Sequence, residues 1–533
     1  MLALSALLMV AGPDASGATR PGSTSDGDSS WTVYHGDAAG SGVSNSASAV
    51  VTTAPAWTSP ALEGQLYGEP LVSGGEVYVA TEDDTVYALS SATGAVVWST
   101  HIASPVSSSM LPCGDISPSV GITGTPVIDP SRNEIFVVAD ELVNGGPAHK
   151  LIGLSTTSGA IKLNQDVDPP GADPAALLQR TGLTLDAGQV VFGMGGNDGD
   201  CAAYRGRVVA VDEAGGSPTY FTVDAAAGDS QGAIWMGGAA PAVDGNGDIW
   251  VAAGNGSVHS ASQPYDDSDS ALELSPSLQL LQYFAPTTWP QNNAHDFDMS
   301  MAPALLSDGQ VVLAGKSRIV YLLDGSHLGG IGGQEASLDA ACSGDIDGGS
   351  AAAGTTVYLP CPSGTVAVAV TASPASLTVL WASRVGGGPP IVAAGLVWTI
   401  GHDGTLFGLD PSTGTVRQQV SIGVPANHFP TPSIGDGLLL APSSNRVVAF
   451  HATSSSTPPP STSTPSTSTP STSTSSTSTS TTVPRSSAAG ASGSRSGGGS
   501  SPGEIAGIVV GGVIVLGGAG WVLLRRRRRG AGP

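Results

Sequence analysis

Pro70-Leu71-Val72, a Ser73-Gly74-Gly75 turn, Val77-Tyr78-Val79-Ala80-Thr81, Val86-Tyr87-Ala88-Leu89, a Thr93-Gly94 turn and Val96-Val97-Trp98 form the stretch that decides the fold. Each apolar run is short, rich in β-branched residues and closed by turn formers, which predicts four antiparallel strands in succession. The phrase returns seven times, with second strands beginning near Ile135, Val190, Ile249, Val311, Val357, Leu396 and Leu438. Turns such as Asp129-Pro130-Ser131, Asp186-Ala187-Gly188 and Asp244-Gly245-Asn246-Gly247 punctuate the copies. One four-stranded sheet cannot cover both of its faces, but eight arranged radially bury each face against a neighbour. The expected fold is therefore all-β: an eight-bladed β-propeller with four-stranded blades over residues 31–451. The last copy, Pro432 to Phe450, holds only three strands, and Ala54 to Thr58 holds a lone one whose Trp57 matches Trp98. Pairing these two ends closes the ring without an exposed edge.

The phrases Val86-Tyr87-Ala88-Leu89 with Thr93-Gly94 and Trp98, and Leu406-Phe407-Gly408-Leu409-Asp410 with Thr413-Gly414, resemble the repeat unit of pyrroloquinoline-quinone-like propellers. Trp31 with Tyr34-His35-Gly36-Asp37 resembles the leading motif of such domains. The resemblance covers roughly residues 31–451 and implies a fold more than a function. The family includes quinone-dependent alcohol dehydrogenases and scaffold proteins that bind no cofactor. No adjacent Cys-Cys pair is present, so the vicinal disulfide beside the quinone in those dehydrogenases has no counterpart here.

The chain has 533 residues, with 19 Lys and Arg against 43 Asp and Glu, a net charge of −24. Seven of the basic residues (Arg485, Arg495 and Arg525 to Arg529) lie near the end, and residues 31–451 hold 11 basic against 39 acidic side chains, a net of −28. Such a field repels a phosphate backbone and argues against nucleic-acid binding. The 74 glycines follow no Gly-X-Y period, so they indicate tight turns rather than collagen.

Both ends point to export. Met1 to Val10 is almost wholly apolar and Ala15 to Ala18 supplies small residues for cleavage, so residues 1–18 are expected to be a signal peptide and 19–30 disordered. Residues 452–503 are Ser/Thr/Pro-rich, then Gly/Ser-rich, and form no core. They read as a stalk open to O-glycosylation or as an unmodified linker; about 50 extended residues at roughly 3 Å each reach past about 100 Å. Ile505 to Leu524 is an uncharged apolar run of transmembrane length followed by five arginines. The positive-inside rule leaves the 525–533 tail cytoplasmic and residues 31–503 outside the cell, in a single-pass membrane protein.

Strand order sends first-to-second and third-to-fourth connections to one side of a propeller and the remaining connections to the other. The first set is expected to be uniformly short. The long excursions, 101–121, 140–149, 193–206, 254–269, 285–300 and 325–348, are all assigned to the second set, which makes that face the expected working surface. Cys113, Cys201, Cys342 and Cys361 fall on it. In an exported domain they suggest two disulfides, Cys113–Cys201 and Cys342–Cys361 being preferred over other pairings or buried free thiols.

Candidate binding residues sit in these loops. Asn197, Asp198 and Asp200, and Asp266, Asp267 and Asp269, offer hard oxygens that suit Ca²⁺ or merely solvate their loops. The Asp244-Asn246-Asp248 series is read as turn chemistry. His295 with Asp296 and Asp298 is read either as an acid–base group or as loop packing. No nucleophile elbow, phosphate loop or paired zinc motif is present, and no catalytic residue is nominated.

These features favour a non-catalytic surface protein that presents the propeller to a surface protein or a cell-wall polysaccharide. The alternatives are an oxidoreductase dependent on pyrroloquinoline quinone (PQQ) and Ca²⁺, and a glycan-active enzyme. No cofactor is assigned outside the quinoprotein alternative.

Overall fold

The computed structural model describes residues 30–424 and 427–454. The expected signal peptide, most of the stalk, the apolar span 505–524 and the arginine tail lie outside these residues. Among the described residues no helix is long and apolar enough to cross a membrane.

Eight four-stranded antiparallel sheets follow one another along the chain. Blade 1 comprises Leu71–Ser73, Glu76–Thr81, Thr85–Ser90 and Val96–His101, the four strands read from its sequence. Most first strands are largely buried, as in Leu71–Ser73, Val127–Asp129 and Ser433–Gly435, whereas fourth strands such as Val96–His101, Ile161–Asp166 and Val416–Ser421 alternate exposed and half-buried residues. First strands therefore surround the axis and fourth strands form the rim. The last blade joins Ser433–Gly435, Leu438–Ser443 and Arg446–Ser454 to Trp57–Thr58, with Trp57 opposite Ala449. The expected closure is thus the observed one, although the last strand runs three residues into the stretch assigned to the stalk.

One contact explains the Thr-Gly and Trp elements of the repeat. Gly94 has φ +70°, a conformation open to glycine, and a Cβ placed on it would overlap the indole of Trp57 from the preceding blade. Gly159 meets Trp98, and Gly414 meets Trp381, in the same way. Each indole nitrogen also donates to a backbone carbonyl of the same turn: Trp57 to Ser91 at 2.7 Å, Trp98 to Thr156 at 2.7 Å and Trp381 to Pro411 at 2.9 Å. The motif is an interblade lock, and Trp57 supplies its ring-closing copy.

The leading motif stoppers the axis. Thr32, Ala38, Ser41 and Gly42 accept hydrogen bonds from the backbone amides of Ile128, Val243, Ala352 and Val392, while Trp31 bridges Val72. Inner strands of blades 1, 2, 4, 6 and 7 thereby satisfy edge groups that burial would leave unpaired. His35 is buried, stacks on Tyr34 with ring centroids 4.2 Å apart, and is held neutral because burial lowers its pKa to about 4.

Candidate functional site

Both expected disulfides are formed, Cys113–Cys201 and Cys342–Cys361. The loop assignment needs two corrections. Residues 140–149 are not a loop but the paired end of a hairpin, Glu134–Val143 with Gly146–Ser155, whose turn is Asn144-Gly145. Residues 325–348 are not one excursion: 325–335 join the third and fourth strands of blade 5, Ala336–Leu338 is that fourth strand, and only the residues after it lead to blade 6. Within this connection Gly330–Ile331 adds a parallel strand to the rim of blade 4. The plainer side therefore carries one long connection, so its loops are not uniformly short. Two other segments were passed over as excursions, 167–183 and 223–241, both leading into inner strands on the elaborated side.

Residues just before the inner strands converge on the axis at the elaborated end. Arg180, before blade 3, is 6% exposed and lies 5.6 Å from the ring of Tyr67 (before blade 1) and 5.5 Å from that of Phe429 (before blade 8). Its guanidinium also donates to the His428 carbonyl at 3.2 Å. Phe429 in turn lies 5.9 Å from Trp235, before blade 4. Blades 8 and 4 are opposite in an eight-membered ring, so this contact spans the axis. Trp235 then meets Lys316 of blade 5 at 5.5 Å. Cation and aromatic faces attract in this order, and the chain Arg180, Phe429, Trp235, Lys316 crosses the mouth from one side to the other.

Lys316 gathers carboxylates. It lies 2.5 Å from Asp298 and 3.4 Å from Asp296, and these carboxylates hold its pKa above the ordinary lysine value against the opposing effect of burial. Burial, followed by the neighbouring Asp298, raises Asp296 to about 6, and burial raises Asp347 to about 6. The Asp298 Oδ1 accepts the backbone N–H of Asn255 at 2.7 Å. The Asn255 amide also faces this pair: with nitrogen inward it donates to both Asp298 and Asp296, whereas with oxygen inward three oxygens would meet. At the far edge, exposed His428 pairs with Asp115 at 2.8 Å, which raises the imidazole pKa and lowers that of the carboxyl.

Of the residues nominated from sequence, Asp296 and Asp298 enter this mouth, with Asp200 close enough to raise the Asp296 pKa. The others have local roles. Asn197 is buried and donates to the Ala175 carbonyl at 3.0 Å, Asp198 is exposed beside it, and Asp200 accepts from Tyr204 at 2.7 Å. Asp266 accepts from the Ser268 hydroxyl at 2.6 Å, Asp267 occupies a left-handed turn, and buried Asp269 accepts from Asn292 at 2.6 Å. Asp269 thereby ties its loop to a short helix, Trp289–His295, inside what the sequence presents as a plain loop. His295 ends that helix, exposed, with its ring nitrogen 2.7 Å from the Gln291 carbonyl and its ring stacked on Phe297, and among the described residues it makes no hydrogen bond to Asp296 or Asp298. Asp244, Asp248 and Glu273 converge on the plainer side, where Asp244 accepts the amides of Asn246 and Asp248 as a turn does.

Arg180, Trp235, Lys316, Asn255 and Phe429 were not anticipated. Arg180, Trp235 and Phe429 lie four to seven residues before an inner strand, whereas Asn255 and Lys316 lie in second-to-third connections, so no single sequence position marks them.

Comparison with known proteins agrees with the repeat. A family model described as outer membrane protein assembly factor BamB matches residues 26–264. Over those residues the chain is similar to pyrroloquinoline-quinone-like repeats. Quinohemoprotein alcohol dehydrogenase ADHIIG from Pseudomonas putida HK5 is similar over 80% of this chain and 81% of its own, with TM-score 0.61 and 14% identity. The quinohemoprotein alcohol dehydrogenase of Comamonas testosteroni is similar over 79% and 80%, with TM-score 0.57 and 15% identity. A europium-containing methanol dehydrogenase is similar over 80% and 98%, with TM-score 0.56 and 14% identity. At these identities the likeness is one of fold, and fold does not carry activity with it. No curated protein matches the chain.

Proposed function

We propose that the chain is a non-catalytic binding protein of the cell surface, held by the 505–524 span and stalk with its propeller outside the cell. In this reading the mouth of the propeller engages a surface protein or a cell-wall polysaccharide. The observation that carries it is the half-exposed set Tyr67, Trp235 and Phe429, held across the axis by Arg180 and Lys316. Aromatic and arginine side chains at the centre of a rigid surface are the composition of binding hot spots. The cations are already engaged within the protein, which favours recognition by shape and stacking over acid–base chemistry.

A quinoprotein oxidoreductase is the second reading, and the Asn255 amide is the observation behind it. Asn255, Asp296 and Asp298 would supply hard oxygens to a Ca²⁺ ion, and in that respect the residues fit. The flat quinone fits poorly: the Trp235 indole that would support it already has Phe429 and Lys316 against it. No redox step is derived for these residues.

Capture of native envelope material by the full chain separates the readings. Binding is expected to fall at least tenfold in a Trp235→Ala/Phe429→Ala variant of unchanged melting temperature, a loss of about 1.4 kcal/mol or more. Unchanged capture would overturn the assignment of the mouth. Absorbance by bound quinone and oxidation of alcohols after addition of PQQ and Ca²⁺ would establish the second reading instead.

A further inference from the structure

A cavity of about 410 Å³ opens on the elaborated side of blade 3. Three connections build it: the one entering blade 3, the one between its second and third strands, and the one leaving for blade 4. Its volume lies within the range of small-molecule sites.

Its charges are unusual for so acidic a chain. Arg205 and Arg207 both line it, and neither forms an ion pair among the described residues. Arg205 donates to the backbone carbonyls of Asp229 at 3.2 Å and Ala226 at 2.9 Å, and Arg207 donates to the carbonyl of Gly206 at 3.1 Å. Burial, and after it the repulsion of Arg205, lowers the Arg207 pKa. Two guanidinium groups held close with carbonyl partners only retain donors suited to a carboxylate. Asp173 and Asp229 also line the cavity without pairing to either arginine. Pro169, Pro170 and Leu177 add apolar wall.

We propose that this cavity binds a carboxylated sugar, a uronic-acid residue whose carboxylate bridges Arg205 and Arg207 and whose hydroxyls donate to Asp173 and Asp229. A bare anion would leave the two aspartates as repulsive neighbours, and a neutral sugar would leave the guanidinium pair without a counter-charge. A hydroxylated ring carrying one carboxylate satisfies both sets, and its C–H face suits the proline wall. The proposal rests on the reading of the chain as a binding protein and supplies a ligand chemistry at a second place on the same face.

Calorimetric titration of the full chain with D-glucuronate, D-glucose and inorganic phosphate provides the test. Glucuronate is expected to bind one to one, with glucose and phosphate each at least tenfold weaker. Arg207→Gln is expected to lower the glucuronate affinity at least tenfold. Ala203 is exposed on the cavity wall, so Ala203→Glu places a competing carboxylate there without disturbing packing, and the same loss is expected at unchanged melting temperature. Absence of glucuronate binding, equal affinity for phosphate or glucose, or full affinity in the Ala203→Glu protein would each overturn the proposal. Capture of envelope material through the mouth has its own Trp235 and Phe429 variant, so failure of one assignment is distinguishable from failure of the other.

Discussion

The junctions of blade 8 with 1, 1 with 2 and 6 with 7 share one lock, an indole over a glycine turn with its nitrogen on a turn carbonyl. Blade 2 meets blade 3 by a lesser version, in which the Leu163 side chain lies 2.8 Å from the position of a Cβ on Gly215. From there to blade 5 the lock is replaced by loops unlike one another: a disulfide-tied turn, a cavity, a short helix and an added rim strand. The repeat locks the ring where it is kept, and where it is relaxed the connections diverge and one group of them walls a cavity. The mouth draws on both kinds of junction: Tyr67 comes from the locked one between blades 8 and 1, and Arg180, Trp235 and Lys316 come from the irregular sector.

The comparison is sharpened first by removing the tie that anchors the irregular sector. Cys113 and Cys201 are 88 residues apart, and closing a loop of that length is worth about 4–5 kcal/mol of chain entropy. The Cys113→Ser/Cys201→Ser protein is expected to lose about that much in urea denaturation. The 19-residue separation of Cys342 and Cys361 predicts about 3 kcal/mol for its removal. An equal loss for both pairs would show that chain entropy is not what the long tie supplies. In the regular sector, Trp98→Ala is expected to cost about 3 kcal/mol, the low end for such truncations because the indole is half-buried. Leu163→Ala at the lesser junction is expected to cost about 2 kcal/mol. A Trp98 effect no larger than that of Leu163 would break the distinction between the two kinds of junction.

The same division decides what was legible beforehand. Strand starts were readable because Val77, Ile135, Val190 and their counterparts recur against Gly and Asp turns, and Trp57 betrayed the closure by matching Trp98. The disulfides followed from placing four cysteines on one face. The mouth was hidden because Arg180, Trp235 and Phe429 are separated by 55 residues or more and meet only after the ring closes. Local clusters such as Asp266 to Asp269 drew attention instead, yet adjacent polar residues in a loop mostly bond within it, as Asp266 does with Ser268. His295 was ambiguous for a similar reason: whether it faced Asp296 depended on the helix that begins at Trp289.

The smallest expected effect concerns pH and lies between blades 1 and 2. Asp84 sits in a left-handed turn position, φ +48°, where the corresponding turn of blade 7 has Gly404. It is fully buried, and among the described residues neither carboxylate oxygen has a hydrogen-bond partner. Burial first, then the charges of Asp140, Glu141, Glu82 and Asp83, push its pKa up to about 10, and burial pushes Glu82 to about 7. The folded protein therefore keeps these protons over a range in which the unfolded chain, with ordinary carboxyl pKa values near 4, has released them. Protons bound in excess by the folded state mean that stability falls as pH rises, by at most about 1.4 kcal/mol per pH unit for each proton. His35 acts oppositely but only between about 4 and its ordinary 6.5, where stability rises with pH. Above pH 7 the His35 effect is over, and Asp224, raised to about 9 chiefly by burial, adds to the carboxyl effect, so the melting temperature is expected to decline from pH 7 to 9. Asp84→Asn carries no proton to lose at that position and is expected to flatten the decline. An equally steep decline in that variant would mean that Asp84 is ionised in the folded protein, with a counter-charge beyond the side chains that surround it.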